Sequence, residues 1–171
     1  MPESHAPLLH VVLHEPEIPN NTGAIGRTCV ATGCALHLIE PIAFDTDEKA
    51  CRRAGLDYWQ RLAPAQHAGW DAYTSGTPGA PRWYFSTRGT RPVWDADFAP
   101  GDHLVFGKET KGLPCELLDA HPERVLSFPM VPGERSLNLA NAACAAVYEA
   151  LRQLAACGAV QIDRDGRVTR P

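Results

Sequence analysis

Apolar residues along this chain fall into short runs separated by polar stretches rich in glycine and proline. That rhythm belongs to alternating strands and helices. Residues 8–14 form an apolar run of strand length, and 15–21, with Pro16 and Pro19, read as loop. Asn21 or Thr22 caps a helix over 23–32, which Gly33 ends. Residues 34–40 alternate, with Ala35, His37 and Ile39 against Leu36 and Leu38, and read as a second strand. A strand–helix–strand opening argues for a parallel sheet.

Further on, 47–55 reads as a short charged helix, 69–74 as another helix and 77–81 as a turn. The aromatic content of 82–86 predicts a strand, and 88–100 is a loop bearing proline and tryptophan. Strands over 103–106 and 124–128 flank a helix over 113–120. The longest helix spans 138–157, with Leu139, Ala143, Val147, Leu151 and Leu154 on one stripe, and Gly158 closes it. Its many alanines reflect either helix propensity or a close contact with another helix. The tail, 159–171, is either a hairpin around Asp165-Gly166 or disordered.

Two loop-to-helix junctions stand out near the C-terminus. In Arg135-Ser136-Leu137-Asn138-Leu139-Ala140-Asn141-Ala142 a polar loop runs straight into the alanine-rich helix. Ser136 and Asn138 offer oxygens to the free N–H groups that open it. About one strand–helix unit earlier lies Phe106-Gly107-Lys108-Glu109-Thr110-Lys111-Gly112-Leu113-Pro114. Paired junctions of this kind point to a ligand site late in the chain.

Composition narrows the class. With 171 residues, 44% hydrophobic and 21% charged, the chain reads as one globular domain. No apolar run approaches the ~20 residues of a membrane span, and residues 1–7 lack the features of a signal peptide. The expectation is a cytoplasmic protein without a membrane partner. Six cysteines at 29, 34, 51, 115, 144 and 157 form no CxxC and read as reduced, mostly buried thiols. The seven histidines fall singly, so no metal site is expected. The net charge of −4 disfavours a generic nucleic-acid coat. Arg52, Arg53, Arg88, Arg91, Lys108, Lys111 and Arg135 are either a local basic patch or solvated surface charge.

Candidate chemistry is sparse residue by residue. Arg27 lies in the first helix, about 200° around from Ile25, off the apolar stripe and against the helix dipole. It is either exposed and paired with Glu15 or Glu17, or functional. Gly107 and Gly112 have phosphate-loop spacing, but Leu113-Pro114 stands where Lys-Ser/Thr is needed. Gly107 marks either a plain turn or a close backbone approach. Glu109 is a solvated charge, a carboxylate that closes the loop, or a group that approaches a sulfonium. No nucleophile elbow is present.

Taken together, the segments carry a resemblance. They are Glu15-Pro16-Glu17-Ile18-Pro19-Asn20-Asn21-Thr22-Gly23 with Arg27; Arg53-Ala54-Gly55-Leu56-Asp57-Tyr58; Phe106-Gly107 with Glu109 and Gly112-Leu113-Pro114; and Pro129-Met130 with Arg135-Ser136-Leu137-Asn138-Leu139 and Asn141-Ala142. Over residues 8 to 158 the chain resembles the SPOUT RNA methyltransferases. Within that family it looks most similar to the short bacterial tRNA wobble-nucleotide 2′-O-methyltransferases. Ala140, where relatives often carry serine, and Asn20, where proline is common, depart from the pattern.

The resemblance implies a single-domain, parallel-sheet α/β fold with a C-terminal trefoil knot, working as a homodimer through the long C-terminal helix. It implies S-adenosylmethionine held by Phe85, Gly107, Glu109, Phe128, Met130, Ser136, Leu137 and Asn141. It gives Arg27 the catalytic role; the polar loop at Asn21 and the basic residues Arg88 and Arg135 are the candidates for the substrate side. The implied reaction is methylation of the ribose 2′-hydroxyl of the first anticodon nucleotide, cytidine or a modified uridine, in the tRNA anticodon loop. The alternatives are another tRNA or rRNA nucleotide, a non-catalytic RNA-binding relative, and a Rossmann-type methyltransferase of small molecules. The last needs a glycine-rich loop after residues 8–14, which is missing.

Overall fold

The structure, a computed structural model, describes residues 6–46 and 57–169. Its strands are β1 (His10–His14), β2 (Ala35–Ile39), β3 (Ala65–His67), β4 (Arg82–Phe85), β5 (Arg91–Pro92), β6 (His103–Phe106) and β7 (Val125–Ser127). All seven are parallel, in the order β3-β2-β1-β6-β4-β7-β5. The helices are α1 (Pro19–Thr32), α2 (Trp59–Leu62), α3 (Trp70–Gly76), α4 (Cys115–Asp119) and α5 (Leu139–Ala156).

A parallel sheet is covered on both faces, so its central strands are apolar throughout. Every residue of β6 is buried, as is all of β1 after His10. On one face Val11, Leu13, Leu36 and Leu104 meet Ile25 and Cys29 of α1 and the stripe Ala143, Ala146, Val147, Ala150, Leu151 and Leu154 of α5. On the other, Val12, Ile39, Tyr84 and Val105 meet Tyr73 of α3 and Leu118 of α4. The alanines of α5 therefore do pack against other elements, because small side chains let it lie close to α1 and the sheet.

The tail takes the hairpin alternative. Strands β8 (Gln161–Ile162) and β9 (Val168–Thr169) pair antiparallel, and Asp163 closes the turn by accepting from the N–H groups of Asp165 and Arg167. Among the described residues no helix is long and apolar enough to cross a membrane.

Several expectations need correction. The first helix begins at Pro19, not Gly23: proline suits the first helical position because its ring presets φ and it has no N–H to satisfy. Asn21 and Thr22 thus lie inside the first turn. Strands β3 and β5 and helix α2 went unpredicted. The two strands are only three and two residues long, and lie at the sheet's edges, where pairing with a neighbour defines them. The helix over 113–120 shrinks to five residues behind Pro114. Of the described cysteines only Cys29 and Cys34 are buried; Cys115 and Cys157 are exposed and Cys144 is intermediate. The charged helix expected over 47–55, with Cys51, Arg52 and Arg53, lies outside the described residues. The histidines do not stay apart, because neighbouring strands bring His10, His37 and His103 together.

Candidate active site

The C-terminal ends of β4, β6 and β7 open onto a cavity of about 530 Å³, within the range usual for small-molecule sites. Its floor is aromatic. Phe85 closes β4 and Phe106 closes β6, and their rings stack at 4.5 Å. Phe128, just beyond β7, stacks on Phe85 at 5.8 Å. The walls are the loop after β6 and the exposed loop that leads into α5.

The loop after β6 folds back on itself. Gly112 donates its N–H to the Lys108 carbonyl at 2.8 Å, with a left-handed φ of +69°. Gly107 lies directly under the Gly112–Leu113 peptide, and a Cβ built on it would fall 2.1 Å from the Gly112 carbonyl carbon. The close approach read from the sequence is therefore between two parts of the same loop.

Glu109 joins this loop to α1. Its carboxylate accepts from the N–H of Glu17 at 2.9 Å, the N–H of Ile18 at 3.2 Å and the Asn21 side-chain amide at 3.0 Å. The N-cap of α1, Ile18, has no capping side chain. Glu109 supplies the missing cap from across the fold, where a negative charge also complements the helix dipole. This is the loop-closing alternative.

Two further contacts join the same segments. Lys108 pairs with Glu15 and holds that carboxyl below its usual range by hydrogen bonding. Glu17 accepts from the Thr110 N–H and hydroxyl, both at 3.0 Å. Asn21 then links to the third segment: its side-chain oxygen accepts from the Asn138 amide at 3.0 Å. Asn138 in turn caps α5 by accepting from the N–H groups of Ala140 and Asn141. That cap falls to Asn138, whereas the sequence offered Ser136 equally.

Hydrogen bonds to a charged acceptor contribute roughly 1.5–3 kcal/mol each. Glu109→Ala should lower the urea midpoint clearly, and Glu109→Gln, which keeps one acceptor oxygen, should fall between it and the parent. Equal midpoints for all three proteins would show that the capping contacts carry no stability.

Of the residues singled out in the sequence, Phe85, Gly107, Glu109, Phe128, Met130, Ser136, Leu137, Asn21, Arg88 and Arg135 line the cavity. Asn141 does not: Asn138, Leu139 and Ala142 share the helical face turned to it, and Asn141 is exposed one step around. Arg27 does not either. It is exposed, with its guanidinium 5.0 Å from the centre of the Tyr58 ring, whose hydroxyl donates to the Gly23 carbonyl. Of the two alternatives for it, the pairing with Glu15 or Glu17 is not found, since those carboxylates turn to Lys108 and Thr110.

The basic cluster divides. Arg88, Lys111 and Arg135 sit at the cavity, whereas Arg91 lies 5.3 Å from the centre of the Trp83 ring and donates to the Glu123 carbonyl. Arg88 also donates to the Cys115 sulfur at 2.7 Å. Cys115 in the lining, and Glu15, Glu17 and Lys108 as links, were not singled out as site residues. Glu15, Glu17 and Lys108 find partners 93 positions away in sequence and Cys115 one 27 away, and no local pattern reports such contacts.

Comparison with known proteins shows the family and the fold. The model of the SpoU rRNA Methylase family matches residues 8–148. A tRNA (cytidine(34)-2′-O)-methyltransferase from Saccharophagus degradans is 49% identical over 152 residues, covering 88% of this chain and 99% of that protein. A solved structure described as giving insights into the 2-OH methylation of C/U34 on tRNA superposes with a TM-score of 0.80 at 45% identity, over 86% of this chain and 97% of the other. The SpoU methyltransferase AviRb from Streptomyces viridochromogenes, in complex with the cofactor AdoMet, superposes with a TM-score of 0.71 at 26% identity, over 90% of this chain and 63% of its own.

Proposed function

Since this chain belongs to the SpoU rRNA Methylase family, we propose that it methylates the ribose 2′-hydroxyl of the first anticodon nucleotide of tRNA, cytidine or a modified uridine, using S-adenosylmethionine. The observation that carries this reading is the meeting of three sequence segments at one cavity: the opening of α1, the loop after β6 and the entry to α5. The reading takes the chain as one domain with a C-terminal trefoil knot. Strand β6 enters between β1 and β4, and β7 between β4 and β5, so the late chain crosses strands laid down earlier.

The cavity fits the methyl donor chemically. The stacked phenylalanines and Leu126 offer an apolar surface to a flat heterocycle, while Ser127, Ser136 and the backbone of 107–112 offer polar groups to the ribose and amino-acid parts. When bound, the donor supplies an electrophilic methyl group on a sulfonium. The loops after β6 and before α5 would hold the donor for in-line approach of the acceptor oxygen. Arg27 serves the acceptor. A guanidinium stays protonated, so its task is to orient the hydroxyl and neighbouring phosphate electrostatically. Arg88, Lys111 and Arg135 give the mouth a positive lining despite the acidic net charge. The anticodon loop suits such a mouth because its single strand presents bases and 2′-hydroxyls.

The working unit is a homodimer. Arg27 is six residues beyond Asn21 on α1, about a third of a turn away from the side that faces the cavity, so it reaches the acceptor most directly from a second copy.

Total tRNA incubated with labelled donor should carry label in a 2′-O-methylated nucleotide at the first anticodon position. Label at another tRNA nucleotide, or in rRNA alone, would overturn the substrate assignment. Ser136→Ala should weaken donor binding about 3- to 10-fold, the worth of one neutral hydrogen bond, with tRNA affinity retained. Unchanged donor affinity by calorimetry would remove Ser136 from the donor site.

A further inference from the structure

The sheet carries a second concentration of polar side chains away from the cavity. His10 of β1, His37 of β2 and His103 of β6 come from three adjacent strands. They point to one face, because His10 is in register with His103, and Val12, two residues on, with His37. One ring nitrogen of each lies within 4.8 Å of the other two. His10 Nδ1 and His37 Nε2 are 2.9 Å apart. The second nitrogens of two of the rings are also engaged. His37 Nδ1 is 3.0 Å from His67 Nε2, and His103 Nδ1 is hydrogen-bonded to the Tyr73 hydroxyl. His37 and His103 are buried; His10 is half-buried and leaves a way in from solvent. Nothing in the methyl transfer uses this group.

These are the features of an imidazole metal site. Bonds of 2.0–2.1 Å at tetrahedral angles set ligand nitrogens ~3.3 Å apart; the His10–His37 pair, at 2.9 Å, is within a few tenths of an ångström of that, and the other pairs lie within 4.8 Å and must close up around the ion. Ligating histidines have their second nitrogen oriented by an outer hydrogen-bond partner, as His37 has in His67 and His103 in Tyr73. Burial disfavours the charged form of His37 and His103, and the neutral imidazole is the form that binds metal.

We propose that His10, His37 and His103 bind one divalent transition-metal ion of the Zn²⁺ type, with water in the fourth position. Three nitrogens and no carboxylate select against Mg²⁺ and Ca²⁺. The ion joins β2, β1 and β6 near their N-terminal ends, about 10 Å along the strands from the cavity. Its effect is on stability, not on the methyl transfer. One adjustment is required. The His10 and His103 rings stack nearly parallel, 4.2 Å apart at 6°, and must tilt so that both lone pairs meet at one ion.

The test uses the full chain without affinity-tag histidines, stripped with chelator and titrated with Zn²⁺ and Co²⁺. One ion per chain is expected, with the visible absorption of tetrahedral Co²⁺ on nitrogen, shifted imidazole resonances for three histidines, and a thermal midpoint several degrees higher with Zn²⁺. His10→Gln changes the half-buried ligand. It should lose at least about tenfold in ion affinity, with its circular dichroism and donor affinity unchanged. His103→Gln should do the same, and if it fails to fold, the wild-type resonances still identify the ligands. Absence of saturable binding, unaltered affinity in His10→Gln, or sulfur-to-cobalt charge-transfer bands from cysteine ligands would each overturn the site. The cluster would then be a hydrogen-bonded stack of neutral imidazoles.

Discussion

Gly107→Ala should abolish detectable methylation and weaken donor binding by more than tenfold. The added methyl carbon would fall 2.1 Å from the Gly112 carbonyl carbon, 2.2 Å from the Leu113 nitrogen and 2.5 Å from the Gly112 oxygen. All three are backbone atoms, so no flexible side-chain tip can swing aside. The loop must instead shift by more than 1 Å to restore ordinary contacts. That loop carries Glu109, which caps α1, and it walls the cavity, so the shift reaches the donor site and the opening of α1 together. Overpacking of this kind costs about 1–3 kcal/mol or more, which is several degrees of thermal midpoint for a chain of this size. Gly76→Ala is the control, because a Cβ there meets nothing within 4 Å. A Gly107→Ala protein that binds the donor as tightly as the parent would refute this account of the loop.

Arg27→Ala should cut turnover about 100- to 1,000-fold, the usual effect of removing one preorganised electrostatic group. Donor affinity should stay within about twofold, because Arg27 lies outside the cavity. Stability should change little: Arg27 is itself exposed, and a solvent-exposed cation over a ring contributes only about 0.5–1 kcal/mol. Arg27→Lys should recover little activity, since an ammonium lacks the planar guanidinium that rests over Tyr58. A fall in donor affinity as large as the fall in turnover would contradict an acceptor-side role. Mixing subunits tests the shared site. Arg27→Ala and Ser136→Trp, which fills the donor cavity, should each be inactive alone. Randomly mixed dimers should regain about a quarter of the parent activity if each site draws on both copies. No recovery would place both halves of the site in a single chain.

How much of this was legible in the sequence depends on the distance over which each feature is decided. The strand–helix–strand opening, the apolar β6 and the stripe of α5 follow from periodicity, which needs only neighbours a few residues apart. The cap on α1 was misread because the local candidates, Asn21 and Thr22, are helix formers here, while the true cap is Glu109. Strands β3 and β5 were missed because so short a segment is a strand only by virtue of its neighbour. The histidines looked isolated because ligand-spacing rules search along the chain, whereas adjacent strands gather residues from 10, 37 and 103.

By itself the sequence determined the alternation of elements, the loop-to-helix junctions and, through its ordered motifs, the family. Periodicity and turn chemistry are local, and a motif is written in consecutive residues. Only the tertiary structure decided that Glu109 and Asn21 join the three segments, that Arg27 stands outside the cavity, and that three scattered histidines meet. Those outcomes depend on which strands are neighbours and in what register, and that is settled by burying both faces of the sheet at once.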